Sequence, residues 1–195
     1  MDSNYYDEKY KQGLYWGLEP GNYTIKILKY AKSGKVLDLG SGEGRDVIFL
    51  AKKGFDVTGV DISEVGVKRM LETAKEMGVN VNGLAQDIAK FEFKEKYDII
   101  ISNNTLQFLS ERDVKRIISE MKENTNEGGL NIIVSFTEDN PSKELPYLFR
   151  KGELKGMYSY WEILEYEEFM MEPERHGKDG KLHQHAIVTL IARKL

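Results

Sequence analysis

Three glycines separated by single residues interrupt the chain between a short apolar run and an amphipathic stretch. The apolar run covers residues 35–39, and residues 40–44, which read GSGEG, follow it directly. Residues 44–53 then carry apolar side chains at helical spacing until Gly54 ends the pattern. A strand, a glycine-rich turn and a helix in this order are typical of doubly wound α/β proteins. In that fold the turn lies at the carboxyl end of its strand, where the backbone can approach a ligand closely.

The same exchange of strand-like and helix-like segments continues along the chain. Apolar runs bounded by turn residues predict strands at residues 55–60, 81–85, 97–102 and 129–136. Helical periodicity, with Ser63 as the expected N-cap of the first segment, predicts helices at residues 63–77 and 111–124. Regular alternation of this kind predicts a mainly parallel sheet with helices on both faces.

Both ends of the chain depart from this alternation. Residues 5–15 predict a polar, tyrosine-bearing helix or arm, and residues 22–31 predict a short amphipathic helix. Near the other end, residues 148–158 have a helical pattern and precede two strands, at residues 161–166 and 186–192. Two strands separated only by a loop are most simply joined as an antiparallel hairpin at one edge of the sheet.

Composition excludes several classes of partner and chemistry. The chain has 28 Lys+Arg against 32 Asp+Glu, a formal net charge of -4 and no basic patch, so we expect no nucleic-acid partner. It has no cysteine, which excludes a disulfide framework, a thiolate zinc site and a cysteine nucleophile. No apolar run approaches membrane-spanning length and the first residues are polar, so we expect no membrane association and a cytoplasmic location.

Acidic residues stand at the ends of three successive predicted strands. Asp38 lies at the end of the first strand, where a buried carboxylate requires a cation or a hydrogen-bond donor, such as the amino group of a methionine moiety. Asp61 ends the second strand, where it can accept hydrogen bonds from both hydroxyls of a ribose. The glycine turn alone is a weak signal, because a tight turn can hold nothing, but together with these acids it predicts a nucleoside site.

The third acid distinguishes between nucleosides. Asp87 can accept from an adenine amino group while Ile62 and Ile88 enclose the ring. A nicotinamide or flavin fingerprint requires a third glycine at position 45, where this chain has Arg45. The pattern therefore favours an adenosine with a positively charged tail over a dinucleotide.

These segments resemble the class I S-adenosylmethionine-dependent methyltransferases. The matching segments cover most of residues 35–135 and are residues 36–44, 60–62, 86–88 and 98–103. The resemblance implies a Rossmann-like, seven-stranded, mostly parallel sheet with an antiparallel last strand. It also implies S-adenosyl-L-methionine as cofactor, S-adenosyl-L-homocysteine as product and no metal.

The rest of the chain is similar to the tellurite-resistance (TehB-like) methyltransferases. The similar segments are residues 5–10, 148–154, 160–162 and 189–194. Relatives of that kind keep His and Arg near the acceptor, in the loop before the last strand. Here that loop contains Arg175, His176, His183 and His185, so the residue types match while their order and spacing differ.

Several further residues complete the predicted cofactor site. Trp16 either covers the methionine end or only anchors the N-terminal arm, and Arg45 pairs with Glu43, Asp46 or the cofactor carboxylate. Asn103 ends the fourth strand, where the sheet faces the transferred methyl group. The predicted cofactor-binding residues are Trp16, Asp38, Gly40, Ser41, Gly42, Arg45, Asp61, Ile62, Gln86, Asp87, Ile88 and Asn103.

The acceptor side is predicted from the polar loop before the last strand. Arg175, His176 and His185 are candidates for the acceptor pocket, although ordinary surface positions are the alternative. We expect the loop at residues 172–180 to close over the acceptor. His183 and His185 lie two residues apart with no acid between them, which disfavours a metal site.

The sequence therefore predicts one methyltransferase domain, residues 1–195, acting on a small molecule. It divides into an N-terminal arm and helix (1–31), a cofactor-binding core (32–136), and an acceptor-side helix with the C-terminal hairpin (137–195). The expected acceptor is a tellurium or selenium oxyanion, a thiol or another small metabolite. A non-catalytic S-adenosylmethionine-binding module remains an alternative, as does an NAD-dependent oxidoreductase; the oligomeric state is left open.

Overall fold

The chain folds into two compact units. The structure is a computed structural model that describes residues 3–173 and 182–195. The first unit runs up to Glu92 and the second begins at Phe93. No helix in the described part of the chain is both long and apolar enough to cross a membrane.

The first unit is an alternation of strands and helices. Its helices are α1 (Ser3–Lys11), α2 (Asn22–Tyr30), α3 (Arg45–Lys52) and α4 (Glu64–Glu76). Its strands are β1 (Lys35–Leu39), β2 (Asp56–Asp61) and β3 (Asn82–Ala85), and a 3₁₀ turn follows at Ile88–Lys90. β2 pairs in parallel with β1 on one side and with β3 on the other. The carboxyl ends of the three strands therefore lie at one edge, where the strand-end acids come together.

The helix that follows β2 begins where the sequence predicts. Ser63 Oγ accepts a hydrogen bond from Gly66 N at 2.9 Å, which satisfies a donor in the first turn of α4. Val67 and Met70 on the same helix are buried. The N-cap predicted at Ser63 is confirmed.

The second unit contains the remaining strands. Its elements are β4 (Tyr97–Asn103), a 3₁₀ turn (Leu106–Phe108), α5 (Glu111–Glu123), β5 (Thr125–Phe136), α6 (Glu153–Met157), β6 (Glu162–Met170) and β7 (Ala186–Arg193). β4 and β5 are parallel, and β7 pairs antiparallel with both β5 and β6. The predicted antiparallel pairing of the last two strands is confirmed, with β7 inserted between β5 and β6.

The helix predicted at residues 148–158 is wrong in extent. Phe149 forms a parallel bridge with Thr137, and its N–H donates to Phe136 O at 3.0 Å, so the backbone there is extended. Gly152 then adopts a left-handed conformation, with φ 73°, and α6 begins only after it. Tertiary pairing of the chain with the end of β5 has overridden the helical pattern.

A buried polar cluster fixes β5 within the second unit. Asn131 is completely buried; its Nδ2 donates to Thr125 Oγ1 at 2.7 Å and its Oδ1 accepts from Tyr158 OH at 2.8 Å. Thr125 Oγ1 in turn donates to Met121 O at 2.7 Å. Because each polar group has a partner, the cluster can be buried without a large desolvation penalty.

Gly44 provides a test of the packing between the glycine turn and α4. A Cβ at Gly44 would lie 2.1 Å from Met70 Cγ, whereas one at Gly54, also in the left-handed region, would meet nothing within 4 Å. Left-handed strain should cost both alanine variants on the order of 1 kcal/mol, and overpacking should cost Gly44→Ala a further 1–3 kcal/mol or so. Urea denaturation should therefore show a lower free energy of unfolding for Gly44→Ala than for Gly54→Ala. Equal losses would contradict this packing.

Candidate functional site

The glycine turn is folded tightly against the end of β2. Gly40 and Gly42 have φ angles of 87° and 55°, which residues other than glycine rarely adopt. Gly40 N and Ser41 N both donate to Val60 O, at 2.7 and 3.0 Å. The turn therefore places backbone without side chains, at positions 40 and 42, at the carboxyl edge of the first unit.

Asp61 connects the glycine turn to the beginning of α4. Its Oδ2 accepts from Gly42 N at 2.8 Å and its Oδ1 from Ser63 N at 2.9 Å. The side chain is 9% exposed, and burial raises the pKa of Asp61, against the opposing effect of the Ser63 and Gly42 N–H groups. Each carboxylate oxygen can accept a second hydrogen bond, so these contacts leave capacity for ligand hydroxyls.

Asp38 is a buried acid whose environment calls for a cation. It is 2% exposed, and among the described residues its Oδ1 has no hydrogen-bond partner; the same holds for Ser41 Oγ. Burial raises the pKa of Asp38 well above its usual range, nearby Asp46 and Asp61 raise it further, and Arg45 lowers it. A ligand ammonium group would satisfy the orphaned oxygen and stabilise the charged carboxylate.

Asp87 and the isoleucines lie where the sequence places them, after the strand ends. Asp87 is half-buried, and its Oδ1 accepts from Ala89 N at 2.9 Å, which caps the 3₁₀ turn. Ile88 is buried at 5% exposure, and Ile62 is half-buried. A capping role for one carboxylate oxygen is compatible with a ligand contact at the other.

Gln86 occupies an exposed position between β3 and Asp87. Its backbone N–H donates to Asp61 O at 2.8 Å, and its side-chain Nε2 donates to Lys90 O at 3.1 Å. These contacts tie the chain after β3 to the end of β2 and to the 3₁₀ turn. They give Gln86 a structural role, and its predicted role in cofactor binding stays a prediction.

Glu43 fixes the N-terminal arm to the glycine turn, a role that the sequence did not indicate. Its Oε2 accepts from Tyr15 N at 2.7 Å and from Trp16 N at 3.2 Å, while its Oε1 lies 3.8 Å from Arg69 Nε. The side chain of Glu43 is 1% exposed. Burial raises the pKa of Glu43, and the N–H groups of Trp16 and Tyr15 and the charge of Arg69 oppose that effect. The ion pair of Glu43 is thus with Arg69, not with Arg45 as considered from the sequence.

The side chains of the arm lie beside the glycine turn. Trp16 Nε1 donates to Tyr10 OH at 3.3 Å, and a Cβ at Gly42 would lie 2.9 Å from that same hydroxyl. The guanidinium carbon of Arg45 is 6.0 Å from the centroid of the Trp16 ring. Trp16 and Arg45 are therefore grouped with the predicted site, and buried Tyr10 joins them without having been predicted.

Two further acids, Asp46 and Asp7, attach the N-terminal arm to the rest of the first unit. Asp46, in the first turn of α3, is 4% exposed and accepts from Gly21 N at 2.8 Å. The side chain of Asp7 on α1 accepts a hydrogen bond from Ser63 Oγ, the N-cap of α4. The arm is thereby attached at both ends to the elements that form the glycine turn and its surroundings.

Asn103 ends β4 in the second unit, at the carboxyl edge of that strand. It is half-buried, and its carbonyl oxygen accepts from Thr105 Oγ1 at 3.1 Å. Asn104 has a φ of 54°, in the left-handed region, and its N–H donates to Val134 O at 2.8 Å. Strained backbone of this kind is found disproportionately at functional sites.

Of the acceptor-pocket candidates, only His185 is described. It directly precedes β7, and its ring stacks on Phe136 at the end of β5, with centroids 4.3 Å apart. The other two candidates, Arg175 and His176, lie outside the described residues, as does most of the 172–180 loop. In the described part of the chain, no three or more His, Asp or Glu side chains are grouped so that they could hold a metal ion.

Comparison with protein families identifies one match that covers almost the whole chain. The sequence model of the family described as "Tellurite resistance protein TehB" matches residues 1–191. The sequence resemblance to TehB-like proteins is confirmed by this match.

Two curated relatives have similar identities. The "Probable S-adenosyl-L-methionine-dependent methyltransferase TehB" of Haemophilus influenzae is 35% identical over 195 residues, which are 98% of this chain and 66% of that protein. "Hemagglutinin 1" of Eikenella corrodens is 35% identical over 163 residues, 82% of this chain and 54% of that protein. This chain thus spans less than two thirds of the length of either relative.

The crystal structure of TehB from Haemophilus influenzae is also similar to this chain. It superposes with a TM-score of 0.84 at 34% identity, covering 99% of this chain and 67% of that one. The predicted fold class is confirmed: a Rossmann-like α/β fold with seven strands, the last of them antiparallel. From the family match and these likenesses, the chain belongs to the family of the tellurite resistance protein TehB.

Proposed function

We propose that this chain is an S-adenosylmethionine-dependent methyltransferase that methylates a small acceptor. The observation that carries the proposal is Asp38, a buried carboxylate beside the glycine turn with one oxygen that lacks a hydrogen-bond partner among the described residues. The name of the related protein from Haemophilus influenzae, a probable S-adenosyl-L-methionine-dependent methyltransferase, supports the same activity. The proposed product of the cofactor is S-adenosyl-L-homocysteine, and we propose no metal.

The residues of the first unit fit the parts of this cofactor. Asp38 would hold the ammonium group, Asp61 the ribose hydroxyls, and Asp87 the adenine amino group, with Ile62 and Ile88 against the ring. The remaining members of the proposed set in this unit are Trp16, Gly40, Ser41, Gly42, Arg45 and Gln86. For Asn103, in the second unit, the cofactor contact stays a prediction. When bound, the cofactor supplies an electrophilic methyl group on a sulfonium.

The residues contribute orientation and exclusion of water more than acid–base chemistry. Methyl transfer between aligned groups is accelerated mainly by proximity, and the arm of Tyr10, Tyr15 and Trp16 covers the glycine turn. On the acceptor side we propose Arg175, His176 and His185 as the pocket. Arg175 is cationic and His176 is readily protonated, which suits an oxyanion of tellurium or selenium or a thiolate.

Two alternatives are separated from this proposal by a binding titration and a methylation assay. A non-catalytic S-adenosylmethionine-binding module would bind the cofactor without transferring methyl groups, and an NAD-dependent oxidoreductase would bind NAD. Calorimetric titration with S-adenosylmethionine, S-adenosylhomocysteine and NAD separates the oxidoreductase, and a methylation assay with tellurite, selenite and small thiols separates the module. Binding of NAD alone would overturn the proposal.

The pKa of Asp38 makes cofactor binding dependent on pH. Burial, Asp46 and Asp61 raise its pKa in the free protein, and an ammonium partner would lower it again, so binding at a pH below the raised pKa should release a proton. Affinity for S-adenosylhomocysteine should be constant above the raised pKa of Asp38 and fall as the pH decreases through it. Calorimetry in buffers of different ionisation enthalpy measures the released proton.

Two variants test the assignment of that proton. Asp38→Asn should remove the proton release and weaken binding by about 1.5–3 kcal/mol, since a charge-assisted contact is lost. Asp56→Asn, at the opposite end of β2, makes the same charge change away from the turn and should bind like the parent. If the proton release persists in Asp38→Asn, another acid holds the ammonium group.

The ribose assignment is tested with ligands that differ only in their hydroxyls. Asp61→Ala should weaken binding of S-adenosylhomocysteine by about 2–4 kcal/mol, but part of that loss would come from the contacts of Asp61 with Gly42 and Ser63. The difference between the affinities for adenosine and 2′,3′-dideoxyadenosine isolates the contribution of the ribose hydroxyls to binding. The parent should prefer adenosine, whereas Asp61→Ala should bind the two with nearly equal affinity; an undiminished preference would exclude the ribose contact.

The acceptor assignment of Arg175 and His176 is tested by kinetics. Replacing both with alanine should lower kcat/KM for selenite or tellurite by about tenfold or more, because an anionic acceptor loses its positive partners. The affinity for S-adenosylmethionine should stay close to that of the parent. Lys178→Ala, which removes a charge from the same loop, is the control. A double variant with unchanged turnover would remove these residues from the pocket.

A further inference from the structure

Asn140 lies in the second unit, 1% exposed, and contacts three groups at once. Its Nδ2 donates to Ser142 O at 2.9 Å, and its Oδ1 accepts from Ala186 N at 3.2 Å. The same Oδ1 lies 3.2 Å from His185 Nδ1. The side chain thus connects the segment after β5 to the residue that precedes β7.

The neighbours of Asn140 fix which way its amide points. The carbonyl of Ser142 can only accept a hydrogen bond and the N–H of Ala186 can only donate one, so the amide nitrogen must face Ser142 and the oxygen Ala186. The oxygen that faces His185 therefore cannot donate. For this contact to be a hydrogen bond, the proton must be on Nδ1 of His185, and in the neutral ring the lone pair is then on Nε2.

The ring of His185 is held by packing as well as by this contact. It stacks on Phe136 with an interplanar angle of 18°, and the ring of His183 packs edge-on against it with centroids 4.8 Å apart. Phe136 ends β5, and His185 immediately precedes β7. The orientation and the tautomer of one imidazole are therefore both determined at the carboxyl end of β5.

We propose that Asn140 is a positioning residue that holds His185 as the Nδ1–H tautomer, so that Nε2 accepts the proton of a protonated acceptor such as a thiol. The inference rests on the proposed function, which places His185 in the acceptor pocket, and it deepens that proposal by naming an acceptor class. Asn140 serves an orienting purpose similar to that of the third group beside a catalytic histidine.

The proton transfer is balanced and requires no other reactant. The S–H bond of the thiol breaks, its electron pair stays on sulfur, and the proton bonds to Nε2, giving a thiolate and an imidazolium. The imidazolium later returns the proton to water. An acceptor that is already ionised, such as selenite, gains nothing from this step, so the two acceptor classes should respond differently to loss of the tautomer.

The tautomer can be observed directly, without catalysis. Long-range ¹H–¹⁵N NMR spectra distinguish Nδ1–H from Nε2–H rings, and a His185→Gln variant assigns the signals of His185. The parent should show the Nδ1–H form, Asn140→Asp should keep it because a carboxylate also accepts, and Asn140→Leu should lose it. Asn131→Leu removes another buried amide of the same unit, bonded to Thr125 and Tyr158, and should keep it. An Nε2–H ring in the parent would overturn the inference.

Kinetics then test the role of the tautomer. At neutral pH, Asn140→Leu should lower kcat for 2-mercaptoethanol by about tenfold, within the range of contributions from general base catalysis, and Asn140→Asp should restore most of it. The kcat for selenite should change less than about twofold in both variants, since its nucleophile is already ionised. An equal loss with both probes would assign Asn140 a purely structural role and overturn the inference.

Failure of this inference is distinguishable from failure of the proposed function. If the parent binds S-adenosylmethionine and methylates selenite but not 2-mercaptoethanol, the inference is wrong and the proposed function stands. If the parent does not bind S-adenosylmethionine and methylates neither probe, the proposed function is wrong, and the role of His185 as proton acceptor fails with it.

Discussion

The two hydrogen bonds of Asp61 are the interaction on which the first unit's ligand edge depends. One carboxylate oxygen binds the amide of Gly42 and the other that of Ser63, so a single side chain sets the glycine turn against the first residues of α4. Ser63 caps that helix with its hydroxyl. An acid at this position must stay buried to make these contacts, and the amides compensate for much of its lost hydration.

The other buried acids around the turn are satisfied in different ways. Glu43 binds two backbone amides of the arm and lies near Arg69, and Asp46 binds the amide of Gly21. Glu43 Oε1 also lacks a hydrogen bond but lies 3.8 Å from Arg69 Nε, whereas Asp38 Oδ1 has no hydrogen-bond partner among the described residues and forms no such ion pair. Buried acids that receive backbone hydrogen bonds hold the protein together, whereas one that lacks a partner points to a ligand. This contrast is the physical basis for assigning Asp38 to the cofactor.

Two buried amides of the second unit are closely paired with neighbouring groups. Asn131 and Asn140 are both buried amides, but they make contacts in different places. Asn131 connects β5 to Tyr158, and Asn140 contacts His185, which precedes β7. The orientation of Asn140 follows from Ala186 N–H and Ser142 O, and that of Asn131 from Leu130 O, which accepts from its Nδ2 at 3.1 Å. A buried asparagine can therefore fix either a packing arrangement or the protonated nitrogen of a histidine.

The sequence by itself determined the order of strands and helices, the cap at Ser63 and the acids at the strand ends, because these depend on local periodicity and on neighbouring residues. Only the tertiary structure decided the partners of Glu43, the position of Tyr10 against Gly42 and the contact of Asn140 with His185. It also shortened α6, where Phe149 pairs with Thr137. Each of these contacts joins residues that are distant in sequence or belong to different elements. Local propensity does not determine which distant segments come into contact, so these partners are set by tertiary packing alone.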